Sequence, residues 1–322
     1  MTLTADQIGH RVVVRRRIAA PGDRERFSDV LGELVELGES SLTVRRRDGE
    51  LVVVDLAHVA AAKPVPPAAT RRTSDRDVER IAALGWQGLE QTWLGGWLLR
   101  AGNGFTGRAN SFLPLDPPDR PVLDALAFVT GWYAERGLPP RAQVPLPLAG
   151  DLDDELAAAG WLAYNPTRFL VAPIAAVLAT CPARADLQPV THEAVPGPEW
   201  LAGYQYRGLS LPDGAVSVLT NATAPTFASV RDSGGFIGVG RGVVDEGWLG
   251  VTAVTVTESA RRGGLGRHLM RGLAEWAAEL GARQIYLQVA EENAAAVAMY
   301  DALGFSTHHR YHYRVAPGQP VA

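Results

Sequence analysis

The sequence predicts an α/β fold, a mixed sheet in two tandem copies, preceded by a small all-β barrel. Three observations carry this expectation. Residues 11–61 read as short β-branched runs parted by turn signals, without a helical period. Beyond them, sliding the chain against itself by 144 residues brings uncommon landmarks into register without a gap: Trp132 on Trp276, Gly137 on Gly281, and Gly160-Trp161 on Gly304-Phe305. Each copy then runs strands, a turn, a helix, a strand, a second helix and a last strand, the alternation of an α/β unit.

Taken in order, the barrel strands are Val12 to Val14, Leu31 to Leu37, Leu42 to Val44 and Leu51 to Leu56, parted by Pro21-Gly22-Asp23, Gly38 to Ser41 and Asp48-Gly49. The runs Arg15 to Arg17 and Arg45 to Arg47 suggest nucleic acid, but residues 1–66 hold 10 basic and 10 acidic side chains. They are expected as solvated strand ends, and no nucleic-acid partner is expected. The domains are expected at 1–63 (barrel), 75–173 (first copy) and 186–316 (second copy). A Pro-rich connector at 64–74, a linker at 174–185 and a tail at 317–322 separate and close them.

In the second copy Thr252 to Val256 is a β-branched strand. Apolar Leu265, Leu269, Leu273, Trp276 and Leu280 recur at helical spacing up to Gly281, which ends the helix. Ile285 to Val289 reads as a strand, Asn293 to Leu303 as a helix, and a final strand is expected near Tyr311 to Val315. Upstream, Gly95 to Leu98 resembles Gly234 to Ile237 if the second copy carries five extra residues.

Composition narrows the class. With 322 residues, 47% hydrophobic and 20% charged, the chain can bury a core. Its formal charge of -4 supplies no general attraction to nucleic acid or anionic membranes. No apolar run reaches the roughly 18 residues of a membrane span, and the start lacks a signal-peptide layout, so a cytoplasmic protein without a membrane partner is expected. One cysteine, Cys181, forms no internal disulfide and fits a reducing compartment, and it falls in a linker away from the motifs. Lys63 is the one lysine, so no lysine nucleophile is available in the α/β part.

The chemistry concentrates at Arg261-Arg262-Gly263-Gly264-Leu265-Gly266-Arg267, between a strand end and a helix start. Glycines there let a ligand approach the backbone, and the helix start offers unpaired N–H donors with about half a positive charge. A diphosphate suits such a seat. A plain strand-to-helix turn has the same pattern, so the loop alone leaves both readings open.

Arg261-x-x-Gly264-x-Gly266 after a β-branched strand resembles the acyl-CoA loop of the GNAT N-acetyltransferases. Asn293, Tyr300 and Leu303-Gly304-Phe305 are similar to that family's second cofactor helix. The resemblance implies an α+β mixed-sheet GNAT fold and transfer of an acetyl group from acetyl-CoA to a primary amine, small molecule or protein. Transfer is then direct attack in a ternary complex, without a metal. It implies that the strand edge at Val254, Thr255 and Val256 meets the pantetheine arm, that amides from Arg262 to Arg267 hold the diphosphate, that Asn293 contacts the arm, and that Tyr300 protonates the departing thiolate. Asn293 could instead simply cap its helix, and Tyr300 could instead be a core aromatic, though the chemical role is the preferred expectation for Tyr300.

An amine must lose a proton before it attacks, and Asp245 and Glu246 are the candidate bases, Glu246 being preferred. The glutamate that some GNAT relatives carry on the strand would fall near Gly250, so this chain lacks it there. Glu291 and Glu292 are further acids in a loop. His308 and His309 alternate on a strand and, with His312, are expected as surface groups rather than metal ligands.

In the first copy Pro117 to Val122 stands where the glycine loop belongs, Leu156 replaces the tyrosine and Ala149 the asparagine, so it reads as a degenerate GNAT copy. Trp93, Trp97, Phe112 and Trp132 line an acceptor wall there or fill a core. The barrel with its tandem copies also resembles an actinobacterial histone-acetyltransferase-like group with an SH3-like amino-terminal domain. The other readings are a mycothiol-synthase-like tandem acetyltransferase, and a catalytically silent CoA-binding or protein-interaction module. The acceptor and the oligomeric state stay open.

Overall fold

The computed structural model describes residues 3, 4, 7–18, 26–46, 49–65, 73–204 and 211–320. The turn Pro21-Gly22-Asp23, Arg47, Asp48, residues 66–72 of the connector and the tail residues 321–322 lie outside them. The chain divides into two compact units, Met1–Arg72 and Thr73–Ala322.

The first unit is a five-stranded antiparallel sheet of β1 (Arg11–Ile18), β2 (Arg26–Leu37), β3 (Ser41–Arg45), β4 (Leu51–Asp55) and β5 (Val59–Pro64), in the order β4-β3-β2-β1-β5. Alternate residues Val12, Val14, Val30, Leu34, Leu42, Val44 and Val54 point inward and form its core. The long strand β2 curls over β3 at Gly32, where a Cβ would lie 2.1 Å from the Arg45 carbonyl oxygen. Arg15, Arg17 and Arg45 are exposed, with Arg15 against Asp29 at 2.8 Å, and Arg46 lies against Glu50 at 2.9 Å.

The second unit opens with α1 (Asp75–Gly85), capped by Ser74, whose hydroxyl oxygen accepts from the Asp77 amide at 3.1 Å. A small sheet follows, β6 (Glu90–Leu94), β7 (Trp97–Ala101) and β8 (Leu113–Pro114), then α2 (Val122–Ala134), β9 (Arg141–Leu146), α3 (Gly150–Ala158), β10 (Leu162–Pro173) and α4 (Ile174–Thr180). The later elements are β11 (Thr191–Glu193), α5 (Pro198–Gly203), α6 (Ala215–Thr220), β12 (Thr226–Asp232), β13 (Gly235–Asp245), β14 (Trp248–Val256), α7 (Leu265–Glu279), β15 (Gln284–Ala290), α8 (Ala294–Ala302) and β16 (Ser306–Val315). Helix α4 thus stands where a linker was expected.

Shifted by 144, the bounds of α2, β9 and α3 become 266–278, 285–290 and 294–302, against 265–279, 284–290 and 294–302 for α7, β15 and α8. The landmark glycines are helix stops: Gly281 and Gly304 are left-handed (φ 84° and 86°), and the next amides, of Ala282 and Phe305, return to the carbonyls of Ala277 and Tyr300 at 3.0 and 3.1 Å. Gly160 does the same in the first half, with Trp161 N–H on the Leu156 carbonyl at 2.9 Å.

The strand order of the eight-stranded sheet is β11-β12-β13-β14-β15-β10-β16-β9. The last strand of the first half, β10, therefore lies between β15 and β16, and β16 in turn lies between β10 and β9. Each half completes its sheet with the other's terminal strand, which makes residues 73–320 one unit. Along β13, Gly238, Gly240 and Gly242 face α7, where a Cβ would meet Leu265, Leu269 or Leu273 within 3.4 Å, and so let helix and sheet approach. In the first half Trp97 and Phe112 stack at 4.7 Å and Trp132 packs in the same cluster, whereas Trp93 is exposed, so three of the four candidate wall aromatics belong to the core.

Candidate active site

Strand β14 pairs in parallel with β15 only from Trp248↔Gln284 to Val251↔Leu287. Beyond Val251 it follows β13 alone, through a bulge at Ala253 (φ 57°), to the pairs Val239↔Thr255 and Gly238↔Val256. The two strands part there, so the far edge of Thr252 to Val256 has no strand partner among the described residues. An extended, amide-bearing ligand suits such an edge.

The chain then turns through a 3₁₀ segment at Glu258–Ala260 into α7. Arg262 (φ 64°) and Gly264 (φ 84°) both hold left-handed backbone, which costs Arg262 roughly 1 kcal/mol and Gly264 little. No side chain caps α7, and its first intrahelical bond runs from the His268 amide to the Gly264 carbonyl at 3.0 Å. The amides of Leu265, Gly266 and Arg267 therefore point out of the helix start, beside the parted strands. Arg261, Arg262 and Gly263 are exposed around them.

The glycines serve different ends. A Cβ on Gly263 would meet the Ala260 carbonyl oxygen at an ordinary 3.6 Å, so this position is not pressed by any side chain. A Cβ on Gly266 would lie 2.9 Å from the sulfur of Met299, so this glycine brings α7 against α8. A Cβ on Gly264 would meet Nη1 of Arg184 at 2.8 Å. Sequence reasoning missed Arg184. It donates to the Gly263 carbonyl at 3.3 Å and is held by Asp186, whose carboxyl it keeps at about 2 through their hydrogen bonds. The only local signal was the acid two residues on.

Asn293 caps α8, its Oδ1 accepting from the Ala296 amide at 3.1 Å. Tyr300 is buried, its ring edge-on to Phe305 at 5.6 Å, and the helix stop at Gly304 creates this contact. Burial pushes its hydroxyl up to about 12, and among the described residues that hydroxyl has no hydrogen-bond partner. Arg267 turns away from the loop, donating from Nη2 to the Ala302 carbonyl at 3.1 Å. Cys181 is not remote, as expected from sequence, but donates its thiol to the Arg267 carbonyl at 3.2 Å in the first turn of α7. Burial raises the pKa of that thiol.

Glu246 is not brought to the other candidates. It sits in the β13–β14 turn (φ 47°), where both its oxygens accept from Arg80 of α1 at 2.7 and 2.6 Å, a contact that lowers its pKa. The loop lies at the other end of β14, about 26 Å along an extended strand. Asp245 is beside it, with Oδ2 buried, no hydrogen-bond partner among the described residues, and a pKa raised by burial. Glu291 accepts from Arg310 at 2.9 Å, and Glu292 is exposed.

At Gly250 the space for a side chain is filled by Tyr286, and a Cβ there would lie 2.3 Å from its hydroxyl. Next to it Arg241 is fully buried, donating to the carbonyls of Leu219 and Gly85 at 2.7 and 3.0 Å below the Trp86 ring. Burial brings its guanidinium down to about 10. Neither residue carried a sequence signal, since each occupies an inward position of an otherwise apolar strand. The open side of the loop is a cavity of about 470 Å³, reaching from Glu199 and Gly203 of α5 past the Gly234-Gly235 turn to Thr255, Thr257 and Arg261.

A strand parted from its neighbour, followed by an uncapped helix start under several arginines, is a seat for an anionic, extended ligand. A family model described as "Probable histone acetyltransferase Rv0428c C-terminal" matches residues 73–314, over three quarters of the chain, and one described as "Rv0428c N-terminal Sm-like domain" matches residues 6–63. The chain belongs to the Rv0428c family of GNAT acetyltransferases. This Rv0428c-family chain is 32% identical over 324 residues to "Probable histone acetyltransferase Rv0428c" of Mycobacterium tuberculosis, covering 98% of this chain and 96% of the relative. It is 31% identical over 247 residues to "Uncharacterized N-acetyltransferase YobR" of Bacillus subtilis, covering 74% of this chain and 98% of the relative. A GCN5-related N-acetyltransferase from Kribbella flavida shares the fold, with a TM-score of 0.58 at 17% identity, over 76% of this chain and 96% of that one. The amino-terminal unit is thus a small β domain that the family model calls Sm-like, where an SH3-like one was expected. Among the described residues, no helix is long and apolar enough to cross a membrane.

Proposed function

We propose that this Rv0428c-family acyltransferase is an N-acetyltransferase that uses acetyl-CoA and hands the acetyl group directly to a primary amine. The observation that carries the reading is the uncapped start of α7 after left-handed Gly264, set beside the stretch of β14 that β15 leaves unpaired. The amides of Leu265, Gly266 and Arg267, with Arg261, Arg262 and Arg184 around them, hold the diphosphate. The edge of Val254 to Val256 takes the pantetheine amides as an added strand would, and the free Nδ2 of Asn293 reaches the same arm while its Oδ1 caps α8.

Acetyl-CoA supplies the thioester carbon that the amine attacks. Tyr300, whose pKa burial pushes up to about 12, is protonated at neutral pH and gives that proton to the thiolate as the C–S bond breaks. The proton the amine releases passes to water, and the phenolate regains one from water. Two substrates held together supply much of the rate. Residues 75–173 and 186–316 are two related GNAT-like copies, and the first holds no coenzyme. Its loop is closed by its own hairpin: a Cβ on Gly96 would fall 2.3 Å from Cβ of Asp116, whereas Gly235 in the second half faces open space.

Calorimetry with CoA and acetyl-CoA on the full chain, followed by thiol release with a panel of small amines and lysine peptides, tests the proposal. Binding with amine-dependent thiol release supports it, and failure to bind either nucleotide overturns it. The absence of a carboxylate at Gly250, with Glu246 held elsewhere, favours one second reading, a module that binds CoA without turnover. Binding without release by any amine selects that reading.

A further inference from the structure

His308 and His309 were expected on the surface, on opposite faces of a strand. Both are instead buried, with 7% and 5% of their surface exposed, and they lie on one side. The cause is a bulge in β16: Phe169 pairs with His309 and Leu170 with Thr307, so His308 is the extra residue and the alternation breaks there. Helix α1 covers the pair, contributing Asp75 and Glu79 from one face.

The directions of the hydrogen bonds around the two rings are fixed from both ends. Arg100 only donates, and its Nη2 gives to Gln143 Oε1 at 2.9 Å, so the Gln143 amide nitrogen gives to Glu79 Oε2 at 3.1 Å. The other oxygen of Glu79 lies 2.8 Å from Nε2 of His309, which gives its hydrogen to that carboxylate. From the opposite end, Nε2 of His308 lies 2.9 Å from the carbonyl of Thr73, which only accepts. Each ring thus carries a hydrogen on Nε2, which makes Nδ1 the ligand atom of the neutral ring. The two Nδ1 atoms lie 3.0 Å apart, and Asp75 Oδ1 is 3.3 Å from that of His308. One carboxylate oxygen and two ring nitrogens, each able to ligate a metal, thus converge on one place.

We propose that Asp75, His308 and His309 form a site for a divalent zinc-class cation, which clips the start of α1 to the bulge of β16. Their ligand atoms lie within 4.8 Å of one another. Tetrahedral zinc with Zn–N near 2.0–2.1 Å sets neighbouring ligand atoms roughly 3.3 Å apart, close to the 3.0 Å between the two Nδ1 atoms and the 3.3 Å from His308 to Asp75. The outer contacts are those that orient metal-bound imidazoles: a carboxylate on Nε2 of His309 and a main-chain carbonyl on Nε2 of His308. Two imidazoles and one carboxylate favour zinc over the hard cations magnesium and calcium. The Asp75 side chain is 20% exposed, which gives the ion a way in.

The test uses the untagged full chain, stripped with chelator, incubated with zinc chloride and passed through a desalting column before metal analysis. One zinc per chain is expected, with melting raised by several degrees, and visible bands of tetrahedral cobalt(II) when cobalt replaces zinc. Asp75→Asn and His308→Ala are expected to retain no zinc and to lose the melting shift. If His308→Ala does not fold, the partly exposed Asp75→Asn variant still decides. A wild-type chain that retains no zinc overturns the site, because a proton shared between the rings then accounts for their approach. Zinc retained equally by the folded variants also overturns it.

Discussion

The hydroxyl of Tyr286 occupies the place a side chain on residue 250 would need, 2.3 Å from a Cβ built there, with the ring carbon behind it at 2.5 Å. Two strands that pair in parallel at this point, β14 and β15, have settled which of them fills the face under α1. Gly250→Ala is therefore expected to cost about 2 kcal/mol by overpacking, measured by urea unfolding. In a Tyr286→Val background the same substitution costs much less, because the clashing ring is gone. Equal penalties in both backgrounds count against the contact.

Tyr300→Phe keeps the ring against Phe305 and removes the proton. Turnover is expected to fall at least tenfold with CoA affinity nearly unchanged, by steady-state kinetics and calorimetry. Equal loss of both properties removes the acid role.

The same residue predicts a pH effect. Its folded pKa is about 12, above the usual tyrosine value near 10, so the folded chain holds the proton longer than the unfolded one. The stability this contributes is intact below about pH 10 and lost as pH rises toward 12, at up to about 1.4 kcal/mol per unit. The stability of wild type relative to Tyr300→Phe should fall with rising pH in that window. A difference that stays constant contradicts the burial of the hydroxyl.

Gly264→Asp places a carboxylate at the helix start, where calorimetry should find CoA binding abolished. Gly264→Ala tests backbone and packing alone: φ is 84° and the new methyl meets Arg184, so a loss of about 1 kcal/mol in stability is expected. Arg184→Ala should weaken CoA several-fold, and less at high salt.

Glu246→Gln breaks a paired but exposed contact with Arg80. Turnover is expected to stay unchanged and stability to fall by less than about 1 kcal/mol. A large loss of turnover restores Glu246 to the chemistry.

The local features were legible in the sequence because short-range chemistry decides them. Apolar spacing set α7, and the glycine stops at Gly281 and Gly304 bounded α7 and α8 to within a residue or two. Asn293 served the cap foreseen for it, and the Arg261 to Arg267 segment formed a strand-to-helix turn with free amides. The barrel strands followed from alternation and turns.

Whatever depends on which distant segment lies alongside was decided by tertiary structure. The insertion of β10 between β15 and β16 leaves no trace in the period of either strand, since a strand reads the same beside any neighbour. The bulge that turns His308 and His309 to one side arises from how β16 registers on β10, and their burial comes from α1, more than 200 residues away in the chain. Glu246 was near β14 in sequence but far from the loop in space, because an extended strand carries its two ends far apart. Periodicity and turn chemistry act over a few residues, whereas register and burial belong to partners that only the folded chain brings together.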